Sequence, residues 1–153
     1  MMRTTACLLG IAAMLAGGCG LRPPIATYSG SRVVESTPQA IAIEVELELS
    51  NDNNNSIELR EFIYSVTANG RHVYEGRQAA ERTLPRRSIV HASIPLVIRR
   101  DEMPQSGDVD WRLSGSLGYV APGAFAETLL DIRIWQPTTA ISAADTTAIP
   151  SAN

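Results

Sequence analysis

The chain of 153 residues contains no lysine; all thirteen basic residues are arginine, set against sixteen acidic ones for a net charge of −3. The arginines are scattered, so no basic stripe exists to neutralise phosphates, which argues against a nucleic-acid partner. A slightly acidic chain also offers no overall attraction to anionic lipid head groups. There are two cysteines, Cys7 and Cys19, and two histidines, His72 and His91. Two histidines without a pair of thiolates make a poor zinc site. Phosphate-cradling glycine loops and nucleophile elbows are missing, and no base, nucleophile and orienting group are brought together by motif. No catalytic residue, no metal site and no cofactor is expected, and the chain is read as a non-enzyme. Helical periodicity is absent too: no segment sustains it over three turns.

What the chain does have begins at its N-terminus. Arg3 precedes the apolar run 6–16, which is far shorter than the ~20 residues a spanning helix requires. Small residues Ala16, Gly17 and Gly18 then lead into Cys19, the layout of a cleaved secretory signal over residues 1–18. The stretch Leu15-Ala16-Gly17-Gly18-Cys19 resembles a lipobox, with the usual leucine displaced by one position. Cleavage would remove Cys7 and leave Cys19 as the lone cysteine of the mature chain, a situation that lipidation explains. Several acyl chains, each buried methylene adding roughly 0.8 kcal/mol, anchor firmly where one would not. The expected location is the periplasmic side of the cell envelope. Gly20, in place of an aspartate that would retain the protein at the inner membrane, favours the outer one.

Residues 19–37, rich in proline, glycine, serine and threonine, read as a lipidated flexible tether, with at most a short strand at 32–35. Extended, this segment would reach on the order of 60 Å. Residues 138–153 are small, polar and repetitive and read as a disordered tail. Between them strand signals dominate. Ile41, Ile43, Val45, Leu47 and Leu49 alternate with Ala42, Glu44, Glu46 and Glu48, so one face is apolar and the other acidic. Asparagines and an aspartate in 50–56 make a turn. The alternation of 57–68 slips at Phe62-Ile63, predicting a bulge there. Asn69-Gly70 predicts a two-residue hairpin. Strands follow at 71–82, 88–98, around Trp111 to Tyr119, and at 125–135. Six or seven such strands predict an all-β, antiparallel sandwich over residues 38–137.

The order of features resembles the water-stress and hypersensitive-response (WHy) domain, also called the late-embryogenesis-abundant type 2 family. The residues that carry the likeness are the turn Asn51-Asp52-Asn53, Ile63-Tyr64-Ser65-Val66, Asn69-Gly70, Gly76, Leu84-Pro85, Ile94-Pro95-Leu96 and Leu113-Ser114-Gly115. The family's turn is usually Asn-Pro-Asn, so Asp52 is a departure, and the segment between Ile98 and Trp111 is short. The resemblance implies a fibronectin type III-like sandwich and an association with desiccation and stress.

Other candidates for chemistry have bland readings. Glu44, Glu46 and Glu48 form a solvated face with no loop to wrap an ion. Residues 52–56 lack the glycine and bidentate glutamate of a calcium loop. Trp111 and Trp135 fill the core or its rim, and Asn51 and Asn53 fix a turn through main-chain bonds. The function expected is a lipid-anchored envelope protein that protects against drying or holds a partner at an exposed strand edge. The alternative is a carrier of a lipid or other apolar ligand between its sheets.

Overall fold

The computed structural model describes residues 21–102, 107–121 and 136–148. The signal segment, Cys19 and the strand expected over 125–135 lie outside the described residues. Seven strands are described: β1 (Ile25–Ser36), β2 (Ala40–Asn51), β3 (Ile57–Ala68), β4 (Arg71–Leu84), β5 (Ser88–Arg99), β6 (Asp108–Val120) and β7 (Thr138–Ala148). They form two antiparallel sheets, ordered β1-β2-β5 and β4-β3-β6-β7. The chain changes sheet at β2–β3, β4–β5 and β5–β6, the Greek-key path of a fibronectin type III-like sandwich.

The alternation in β2 is the foundation of the smaller sheet. Its five apolar residues are 0–2% exposed, and each inward position of β5 lies opposite one of them, as with Ile43 and Leu96 or Val45 and Ile94. Burial of each such side chain contributes roughly 1.5–3 kcal/mol. The facing sheet supplies Ile57, Leu59, Phe62, Val66, Leu113 and Leu117, all buried. Trp111 is buried as well; its indole N–H donates to Thr147 Oγ1 at 2.9 Å, and its ring meets the edge of Tyr28.

Tyr64 connects the two sheets. Its hydroxyl donates to the Pro95 carbonyl across the sandwich at 2.8 Å, and its ring lies over Gly76 of the neighbouring strand. A Cβ at Gly76 would come within 2.3 Å of that ring, so only glycine leaves room for it. Asn69 and Gly70 adopt φ of 49° and 76°, the left-handed pair that a two-residue hairpin requires.

Three expectations are corrected. The bulge in β3 lies between Leu59 and Phe62, at Arg60-Glu61, rather than at Phe62-Ile63. Odd positions face inward before it and even positions after it. The flexible tether of 19–37 is for the most part strand: β1 pairs with β2 from Ile25↔Ser50 to Ser36↔Ile41. Finally, 138–148 is not a disordered tail but β7, in unbroken register with β6 from Asp108↔Ala148 to Gly118↔Thr138. Composition hid this strand because only Ile141 and Ala143 are buried. What stabilises it is the ladder with β6 and a side-chain link to the other sheet. Asp145 Oδ2 accepts from Tyr28 Oη at 2.7 Å and Ser31 Oγ at 3.0 Å, and the Tyr28 bond holds the Asp145 carboxyl below its usual range. The folded part therefore extends beyond 38–137 on both sides.

Gly76→Ala is expected to cost about 1–3 kcal/mol through overpacking against Tyr64, measured as a lowered urea midpoint. Asp145→Ala should raise amide exchange throughout 138–148 ahead of the rest of the sheet, and unchanged exchange would show that the Tyr28 link does not hold β7. Burial, with a smaller effect from Tyr74, pushes the Tyr64 hydroxyl up to about 12. The unfolded chain releases that proton near pH ~10. Stability from this group is therefore intact below pH ~10 and falls as pH rises towards 12. Tyr28 and Tyr119 shift in the same direction, so Tyr64→Phe should shrink the alkaline decline without abolishing it, as read from urea midpoints across that range.

Candidate functional site

The turn Asn51-Asp52-Asn53 joins β2 of one sheet to β3 of the other. Among the described residues Asn51 is the buried polar side chain, 1% exposed. Its amide nitrogen donates to the carbonyls of Asn55 at 2.9 Å, Pro85 at 2.9 Å and Leu84 at 3.3 Å. Its Oδ1 accepts from the main-chain N–H and the side-chain amide of Asn53, at 3.0 and 2.8 Å. Both functions of the amide are thus spent on holding the β2–β3 crossover against the β4–β5 crossover. Asn53 continues the chain of contacts. Its side chain pairs with the main chain of Arg22, accepting from the N–H at 2.9 Å and donating to the carbonyl at 2.8 Å. Its carbonyl accepts from the Arg87 N–H at 3.1 Å. Asp52, between them, is exposed, so proline is not needed for the turn to close.

Arg22 and Arg87 were missed by sequence reading. Arg87 adopts a left-handed φ of 48°, and its Nε donates to Asn54 Oδ1 at 2.8 Å. A guanidinium bonded to a loop oxygen, and asparagine oxygens already accepting N–H groups, suit a cation poorly. The only signal for this contact was the Leu84-Pro85 pair, whose carbonyls prove to be acceptors for Asn51.

The remaining candidates are dispersed. Glu44 accepts from Arg32 Nε at 2.8 Å, and that bond lowers its pKa, while Glu46 and Glu48 sit further along the same outer face. His91 lies opposite Glu48, and His72 is 3.4 Å from Glu75; both histidines are exposed. Among the described residues no group of three histidine, cysteine, aspartate or glutamate side chains could hold a metal ion. Trp135 lies outside the described residues. Where the sheets part beside β4 and β5, Leu49, Leu59, Phe62 and Ala80 line a space of about 120 Å³.

These features define a small fibronectin type III-like sandwich whose buried polar centre is a structural turn. In fold the chain is similar to solved structures that include a late-embryogenesis-abundant candidate. The solution structure of AT1g01470 from Arabidopsis thaliana superposes with a TM-score of 0.64 at 16% identity, covering 88% of this chain and 87% of that one. A candidate late embryogenesis abundant protein, At2g46140.1, also superposes at 0.64 and 16% identity, over 84% and 72% of the two chains. A candidate ApaA protein from Bordetella pertussis gives 0.55 at 15% identity, over 86% and 98%. No protein-family model matches the sequence, and no curated protein matches it.

Asn51→Ala should cost about 1–3 kcal/mol by stranding main-chain carbonyls away from water. Asn51→Asp should cost at least as much at neutral pH, since a carboxylate would face three carbonyl oxygens, and should recover partly in acid. Chemical denaturation at pH 7 and pH 4 tests both. Equal stability of Asn51→Ala and the parent chain would remove the turn from its structural role.

Proposed function

We propose that this protein is a non-enzymatic lipoprotein of the cell envelope that protects neighbouring proteins or membrane during water loss. The observation that carries the protective half is the sandwich it shares, over 84–88% of its length, with solved structures that include a late-embryogenesis-abundant candidate. The anchoring half rests on Leu15-Ala16-Gly17-Gly18-Cys19. Its membrane partner is reached through lipid on Cys19, on the periplasmic side and by preference at the outer membrane.

A protein partner has a specific place to bind. Edge strands need protection against unwanted pairing. β1 carries two register shifts, β4 a bulge with Glu81 at a φ of 39°, and β5 a proline, Pro95, without an N–H. β7 has none of these and is the last strand of its sheet among the described residues, so its outer edge is the one suited to strand addition. The carrier reading is disfavoured by space. Ligand pockets occupy roughly 300–1,000 Å³, whereas among the described residues the opening between the sheets beside Leu49 and Phe62 is about 120 Å³.

Cys19→Ser should move the protein from the membrane fraction to the soluble periplasmic fraction and abolish incorporation of labelled palmitate. A strain lacking the protein should survive drying and rewetting less well than its parent, with wild-type chain restoring survival and Cys19→Ser restoring less. Equal survival of all three strains would sink the protective reading, and an unchanged membrane fraction for Cys19→Ser would sink the anchor.

A further inference from the structure

The crossover end of the sandwich is also the end at which the described chain begins, at Leu21, two residues after Cys19 in sequence. Leu21 packs against the core, Pro24 is buried, and the Arg22 main chain is pinned to Asn53 by two hydrogen bonds. Cys19 precedes Arg22 by three residues, so the two are separated by at most about 11 Å of extended chain. The tether expected to reach ~60 Å is reduced to a link little longer than the head-group layer, which is roughly 5–8 Å thick on each side of a bilayer.

The surface at that end has the chemistry of a membrane contact. Ile25 and Ile89 are 55% and 62% exposed, unusually high for isoleucine. Each lies opposite Ser50, one from β1 and one from β5, so both project from the outer face of the smaller sheet on either side of that serine. Strand spacing puts them roughly 10 Å apart. Among the described residues, the adjoining loops expose three arginines, Arg22, Arg86 and Arg87, against one carboxylate, Asp52, while Glu58 at the start of β3 is paired with Arg60. Leu21, Arg22, Asp52, Asn54, Arg87 and Ile89 line an open depression there. At the opposite end Arg99 is bonded to Asp101, and Asp108 is exposed. Among the described residues, then, the crossover end is locally positive although the chain as a whole is negative.

We infer that this end of the domain docks on the bilayer surface, with Ile25 and Ile89 in the interface and Arg22, Arg86 and Arg87 on phospholipid phosphates. The inference rests on the anchoring of Cys19 proposed above. It differs from it in claiming a fixed orientation, where a lipid tether alone would leave the domain free to tumble. Interfacial binding of this kind combines apolar burial with attraction to anionic lipid.

The test uses the intact lipidated protein in vesicles of phosphatidylethanolamine and phosphatidylglycerol, with nitroxide on a fraction of the head groups. A fluorophore is placed at Ile89→Cys or, at the far end, at Asp108→Cys. Lipidation consumes the Cys19 thiol, so the introduced cysteine is the only one to label. Quenching at position 89 with none at 108 is the expected result, and Arg86→Glu should weaken it in these vesicles but not in vesicles of phosphatidylcholine alone. Equal quenching, or none, at both positions with the protein still on the vesicles overturns the docked orientation and leaves the anchor intact. Label on the unsubstituted chain, or protein left in the supernatant, overturns the anchor and the docking with it.

Discussion

The fold depends on the Asn51 amide. A sandwich whose chain passes repeatedly from one sheet to the other must leave main-chain carbonyls at each crossing, where no ladder can satisfy them. At one end two such crossings, β2–β3 and β4–β5, lie side by side. Asn51 is buried between them and bonds carbonyls from both, at Asn55, Leu84 and Pro85. A buried carbonyl left without a partner costs on the order of 1–3 kcal/mol. An amide is suited to the place because it carries donors and an acceptor on one planar group, and its acceptor in turn fixes Asn53. Asn53 then binds Arg22, so the first described residues are held by the same network.

This gives a physical meaning to the motifs by which the chain resembles the late-embryogenesis-abundant type 2 family. They are scattered along the sequence but meet in space. Asn51 meets Leu84 and Pro85. Tyr64 covers Gly76 and bonds Pro95, and a Cβ at Gly115 would strike the Ile63 carbonyl at 2.2 Å and the Tyr64 backbone. Ser65 and Ser114 are hydrogen-bonding neighbours across β3 and β6. Short motifs of this kind are individually weak, yet each records one half of a contact between strands far apart in sequence.

Legibility followed the amount of information each segment carries locally. The strand over 41–49 could be read outright because five apolar residues recur with period two, and the hairpin at Asn69-Gly70 because its backbone excludes most other residues. The bulge was legible in kind but displaced: Phe62 and Ile63 are adjacent apolar residues, and only the ladder with β6 shows that the extra residue lies before them, at Arg60-Glu61. β1 and β7 were lost for a common reason. Each ends its sheet among the described residues and buries little, so its sequence shows small and polar residues rather than an apolar stripe. Tyr28 and Asp145, 117 residues apart, hold these two strands together, and nothing local in either segment announces the other. At the candidate site the asparagines were legible, while their partners, main-chain carbonyls and the backbone of Arg22, have no side-chain signature to read.

What remains is where a protein built this way can act. Its interior is filled by side chains from both sheets, and its buried amide has both functions occupied. The outer surfaces of the described residues are unequal. The outer face of the smaller sheet carries the row Glu44, Glu46 and Glu48, with Arg32 bonded to the first. The same face ends, beside the crossover turns, in Ile25 and Ile89. Among the described residues β7 presents an edge without the bulges or proline that guard the other three. Docked as proposed at its crossover end, the domain would direct the described edge of β7 and the acidic face sideways along the membrane. That arrangement follows from one asymmetry: the network around Asn51 holds Arg22, and so fixes the end of the sandwich at which the described chain begins and from which the proposed anchor would lead.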